Sequence, residues 1–127
     1  MIVLDASAAV AALLRVGPAR ALVSDEQVHV PHLIDAEVAH SLRRLVLGGH
    51  LAVDAGTAAL GTWGRLGVTH QDVHSLLPRI WHLRQNVSAY DATYVALAEA
   101  LDCPLVTADR RLARSVGPAC PITVVPG

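Results

Sequence analysis

Short apolar runs punctuate the chain at Ile2–Leu4 and at residues 28–30, 105–106 and 122–125, with a weaker one at Val68 and Thr69. They are β-branched and do not alternate with polar residues, the pattern of strands covered on both faces. Longer helical patterns fill the intervals, over Ala6–Leu14, Leu33–Leu47, residues 53–66, residues 75–85 and Ala89–Leu101, with a short last one over residues 109–116. Leu33–Leu47 carries an apolar stripe at Ile34, Val38, Leu42 and Leu45, and Gly48-Gly49 stops it. Ala89–Leu101 places Tyr90, Tyr94, Leu97 and Leu101 on one face. Strands alternating with helices predict an α/β fold, a short central parallel sheet flanked by helices in three layers.

No linker, repeat or low-complexity stretch divides the sequence, so residues 1–127 are expected to form a single domain. A hydrophobic content of 53 % is high for a monomer of this size and predicts a face that meets another protein. The net charge of −1 supplies no general basic field, so any polyanion must be held locally. All ten basic residues are arginines; lysine is absent. Cys103 and Cys120 lie outside any C-x-x-C spacing and are expected to be reduced, structural thiols. Met1 leads directly into Ile2-Val3-Leu4, with no basic leader and no apolar span of membrane length, so a cytoplasmic protein with no membrane partner is expected.

The candidate chemistry is acidic. Asp5 and Asp109 each stand where a strand gives way to a helix, and two parallel strands would bring both carboxylates to one edge of the sheet. Glu37 lies early in the helix after the "VHVP" strand, bordering its apolar stripe, and Asp91 lies in the first turn of "SAYDATYVALAEAL". Each alone is explained by helix capping, and Ser88 to Asp91 resembles a capping box. Gathered together, such acids repel one another and need a positive charge between them. Lysine cannot supply it. A cluster without cysteine or histidine at ligand spacing selects a hard, oxygen-preferring ion, Mg²⁺ or Mn²⁺, of the kind matched to phosphate chemistry.

"VLDASA", a Glu in the next long helix, "NVSAYDATYVALAEAL" and "LVTADRRLA" resemble the PIN-domain nucleases, and among them the VapC toxins of bacterial toxin–antitoxin pairs. The resemblance runs from Ile2 to about Val125, although residues 48–82 carry no signature. It implies a PIN-like sandwich and a catalytic, metal-binding quartet of Asp5, Glu37, Asp91 and Asp109, with Ser7 and Thr107 beside it orienting water or a carboxylate. It implies an endoribonuclease acting on structured RNA, transfer or ribosomal. It also implies a homodimer and a cognate antitoxin whose arginine enters the acidic pocket.

On this reading Asp5 and Asp91 are direct ligands, while Glu37 and Asp109 bind through water or complete a second site. Arg84, Arg110, Arg111 and Arg114 adjoin the acidic motifs and are candidates for phosphate contacts, with Asn86 and Ser88 as further substrate-binding candidates. A solvated face explains the arginines equally well, as it does Arg43 and Arg44. His29, His32 and His40 crowd around Glu37 and are expected at the surface or behind the ligands, and Trp63 and Trp81 are expected in packing or an interface.

Receiver domains and haloacid-dehalogenase phosphatases are excluded by the missing lysine, the latter also by Ser7 where a second Asp is needed; no P-loop occurs. Two alternatives stay open. One is a non-catalytic PIN-like module whose acidic pocket only binds a partner's arginine, and the other a PIN nuclease of RNA processing.

Overall fold

A computed structural model describes residues 1–127. In chain order the elements are β1 (Ile2–Leu4), α1 (Ala6–Leu14), α2 (Pro18–Asp25), β2 (Val28–Pro31), α3 (Leu33–Leu47), α4 (Val53–Arg65) and β3 (Thr69–Gln71). A 3₁₀ turn at His74–Leu76 leads to α5 (Leu77–His82), α6 (Ala89–Leu101), β4 (Leu105–Thr107), α7 (Arg110–Arg114) and β5 (Ile122–Val124).

The five strands form one sheet in the order β3-β2-β1-β4-β5, with every pair parallel. The chain therefore starts in the middle, builds outward through β2 and β3, and then returns to the other side of β1. Between β1 and β4 the winding reverses, and at such a point the helices after the two strands diverge and open a crevice at the strands' carboxyl ends. Leu4 lies beside Val106 in the register, so Asp5 and Thr107 emerge together at that crevice.

The central strands are covered on both faces. Val3, Leu4 and Leu105 are fully buried, which is why the sequence shows no alternation there. Helix α6 packs across β1, β2 and β4. Its residues 92–98 are buried without interruption, so an apolar stretch of the chain becomes the helix that spans the sheet. No single helix is long and apolar enough to cross a membrane.

The expected elements were found with three differences. Helix α2 has no counterpart in the sequence reading, although Gly17-Pro18 is a start signal for it, with proline in the first turn where its missing N–H costs nothing. The expected helix over 75–85 is a 3₁₀ turn followed by a short helix, because Pro78 cannot donate to a preceding turn. Tyr90 is 63 % exposed and does not share the buried face of Tyr94 and Leu97. Trp63 packs in the core, the first of the two expected placements, and Trp81 is 69 % exposed on the single chain, with the Arg84 guanidinium 4.9 Å from the ring centroid. The stop after α3 is confirmed: Gly49 takes φ +77°, a conformation that glycine adopts without strain.

Candidate active site

Each acid reaches the crevice through ordinary local structure. Asp5 caps α1, its Oδ1 accepting from the Ala8 amide at 2.9 Å, and Asp109 caps α7 by accepting from the Arg111 amide at 2.9 Å. Ser88 caps α6 by accepting from the Asp91 amide at 3.1 Å, which leaves Asp91 in the first turn. Capping and a shared site are therefore compatible, since capping fixes where each carboxylate stands and the crevice decides what it faces.

Asp5 is the most enclosed, at 5 % exposure. The Ser7 hydroxyl donates to its Oδ1 at 2.6 Å and the Thr107 hydroxyl to its Oδ2 at 2.5 Å. Each hydroxyl in turn accepts a backbone amide from the turn after β4, Ala108 to Ser7 at 2.9 Å and Asp109 to Thr107 at 3.0 Å. Since a hydroxyl has one proton, both are committed to Asp5. The 3.3 Å approach of Ser7 to Thr107 is therefore proximity, with no proton left to share. This lattice ties the end of β1 to the end of β4 and locks the carboxylate.

The acids feel one another. Burial pushes the Asp91 carboxyl above its ordinary value, and the charges of Asp5, Asp109 and Glu37 push it further, with Ser88 opposing weakly. Asp5 is likewise raised, by burial first and by Asp109 last, against the hydrogen bonds that lower it. Glu37, half-buried on α3, accepts the Tyr94 hydroxyl at 2.5 Å. Burial drives that phenol far above its usual range, and the charges of Glu37, Asp5 and Asp91 add to the effect. Sequence reasoning had placed Tyr94 only on a helix face with Tyr90, Leu97 and Leu101. Its i, i+3 spacing from Asp91 was the available signal that the phenol shares the acid's face of α6.

Beside the acids lies a cleft of about 250 Å³ lined by Asn86, Val87, Ser88, Asp91, Asp109 and Arg111, among others. Of the substrate-binding candidates, Asn86, Ser88 and Arg111 line it. Arg110 and Arg84 do not; Arg110 is exposed, and Arg84 lies over Trp81 and donates to that residue's carbonyl oxygen at 3.1 Å. Arg114 is exposed in the last turn of α7, where a cation suits the helix dipole. None of the three histidines is hydrogen-bonded or ion-paired to the quartet. His29 bonds Gln71 at 3.0 Å, His40 is exposed, and His32 stacks on His70 with ring centroids 5.3 Å apart. His70 is bound to Asp35, which also accepts the Trp63 indole N–H at 2.8 Å.

No cationic side chain stands among Asp5, Glu37 and Asp91; the one ion pair near them joins Asp109 to Arg111 at 3.5 Å, with the arginine 87 % exposed. The four carboxylates and the two hydroxyls offer only oxygen donors around the crevice, the donor chemistry of a hard divalent cation. No three His, Cys, Asp or Glu side chains are drawn together as a ready-made ligand set.

The PIN domain profile matches residues 2–117. The chain is 59 % identical over 126 residues to ribonuclease VapC9 of Mycobacterium tuberculosis, covering 99 % of each chain. It belongs to the PIN-domain family of VapC ribonucleases. VapC1 of the same organism is 44 % identical, with 97 % of this chain and 96 % of that one covered. Among solved structures, M. tuberculosis VapC20, described as a sarcin–ricin loop cleaving toxin, superposes with a TM-score of 0.64 at 19 % identity, covering 89 % of this chain and 93 % of that one. VapBC2 of Rickettsia felis, solved on a DNA fragment from its promoter, gives a TM-score of 0.70 at 14 % identity over 98 % and 99 %. At such identities these two show the fold. Membership of the VapC family carries nuclease and toxin function with it.

Proposed function

We propose that this VapC-family protein is a Mg²⁺- or Mn²⁺-dependent endoribonuclease toxin of the cytoplasm. It hydrolyses a phosphodiester in structured RNA, transfer or ribosomal, acts as a homodimer, and is neutralised by a cognate antitoxin. The observation that supports this most is the uncompensated acidity at the switch point. The Asp91 carboxyl is raised by burial and by three neighbouring carboxylates, and no cationic side chain inside the crevice relieves it. Such a site attracts a cation and becomes electrically suited to an anionic backbone only once one is bound.

Asp5 and Asp91 would hold the ion directly, with Glu37 and Asp109 completing its surroundings. Bound there, the ion lowers the pKa of water and offsets charge on the leaving oxygen. The protein's part is positional. Ser7 and Thr107 hold Asp5 in one orientation. Asp109 is fixed at the mouth of α7, and Asn86 and Arg111 offer an amide and a guanidinium for phosphate oxygens along the cleft. The half-exposed cleft leaves room for an unpaired strand or loop, the form in which RNA presents its backbone most openly. A partner's arginine would meet the same uncompensated carboxylates as the ion does, which gives an antitoxin a direct route to inhibition.

The test is cleavage of total RNA by antitoxin-free protein with Mg²⁺ or Mn²⁺, beside EDTA and an Asp5→Asn, Asp91→Asn double variant, with the ends mapped by sequencing. Discrete cuts that vanish in both controls support the proposal. Undiminished cutting in the double variant overturns it, and binding of partner without cutting of any RNA would favour a pocket that serves only as an arginine receptor.

A further inference from the structure

Glu37 differs from the other acids in how it is held. Asp5 and Asp109 are fixed by capping their own helices, and Asp91 stands on a short side chain in the first turn of α6, where the Ser88 cap holds its backbone. Glu37 sits inside α3, where its backbone gives the carboxylate no fixed direction, and it hangs on a side chain with three rotatable bonds. Its one hydrogen-bond partner is the Tyr94 hydroxyl, donating to Oε1 at 2.5 Å. That phenol is 2 % exposed and belongs to α6, one turn beyond Asp91. The neighbouring Asp91 charge favours swinging Glu37 outward, and no other hydrogen bond ties it inward.

We propose that Tyr94 is a positioning residue for the metal-binding site: its buried hydroxyl holds Glu37 inside the crevice so that the acid of α3 and the acid of α6 face a cation together. The inference rests on the metal-site reading above and deepens it. The tyrosine ring packs in the core whatever the function, but a core ring needs no hydroxyl. Phenylalanine would fill the same space, whereas the hydroxyl placed there meets a carboxylate. Partners that orient a ligand from behind change metal affinity by about 10- to 100-fold when removed.

The experiment is a calorimetric titration of Mn²⁺ into the metal-free, full-length protein: wild type, Tyr94→Phe, Glu37→Gln, the double variant carrying both, and Asp5→Asn as reference, each checked for fold by circular dichroism. Tyr94→Phe is expected to keep its fold and bind Mn²⁺ about 10-fold more weakly. The double variant is expected to bind no more weakly than Glu37→Gln alone, because Tyr94 acts through Glu37 and its loss has nothing left to misplace. A general packing role would instead give losses that add. Binding within two-fold of wild type in Tyr94→Phe, additive losses in the double variant, or collapse of the fold when only the hydroxyl is removed would each overturn the proposal. Wild type binding Mn²⁺ no better than Asp5→Asn would overturn the metal-site reading itself, and this inference with it.

Discussion

The two ends of α6 treat a carboxylate in opposite ways. Near its start Asp91 stands among Asp5, Asp109 and Glu37 with no cation between them, and its carboxyl is raised. Near its end Glu99 receives the Arg79 guanidinium through two bonds, at 2.7 and 3.0 Å, and the Ala119 amide at 2.7 Å, and its carboxyl is lowered, chiefly by that arginine. Arg79 also donates to the Gly117 carbonyl at 2.9 Å, so this clasp joins α5, α6 and the approach to β5. One end satisfies its charge from within the chain and holds the fold together. The other leaves its charge for something outside the chain, and a group of acids in that condition lowers the stability of the metal-free protein.

The contrast is broken most severely by exchanging charge for an isosteric amide at each end. Asp91→Asn should reduce cleavage of the mapped RNA by roughly 10³-fold, the scale of several kcal/mol of charge stabilisation supplied by a bound metal. Glu99→Gln should leave cleavage per folded molecule within two-fold of wild type. The next largest effect concerns stability. Glu99→Gln, which weakens bonds to a guanidinium at a largely buried carboxylate, should lower the unfolding free energy by about 2 kcal/mol in urea titrations, whereas Asp91→Asn should raise it by about 1 kcal/mol in EDTA, a gain typical of relieving a functional site.

The pH dependence sharpens the same comparison. Asp91 is raised from 3.8, so the folded state binds its proton more tightly than the unfolded chain does; that stabilisation is present at low pH and lost as pH rises through the folded value. Glu99 is lowered from 4.5, so its contribution is present above that value and lost as pH falls below it. The advantage of Asp91→Asn over wild type should therefore shrink as pH is lowered from 7 towards 4, while the deficit of Glu99→Gln should persist down to pH 4.5 and shrink only below it. Smallest of all, Arg111→Ala should raise KM for RNA by about three-fold with kcat little changed, because a mostly exposed guanidinium at the cleft contributes to substrate placement alone.

Much of this was legible in the sequence because strong local signals carried it. Strand runs without alternation gave the parallel sheet, and Asp5 and Asp109 at strand ends gave the edge on which the acids meet. Helix α2 was missed because PARALVSD is short and carries little net apolar character, and its start depends on a single proline. The exposure of Trp81 and Tyr90 was not legible, since aromatic residues at helical spacing look alike whether the face is covered or bare. Asn86 and Arg111 could be named as candidates, but which of the arginines borders the cleft depends on how α7 is turned against the loop before α6. The Tyr94–Glu37 bond joins residues on two helices, and no pattern within either helix announces it.

The central claim is that the start of α6 belongs to a carboxylate site completed by a divalent cation. Thermal melting of wild type and Asp91→Asn, each in EDTA and in millimolar Mn²⁺, tests it most directly. A ligand that binds only the folded state stabilises it by about 2.7 kcal/mol at a hundred times its Kd, so Mn²⁺ should raise the wild-type Tm by several degrees. Asp91→Asn should melt higher than wild type in EDTA and gain little from Mn²⁺. A wild-type Tm unmoved by Mn²⁺, or an Asp91→Asn protein that responds as fully as wild type, would contradict the account.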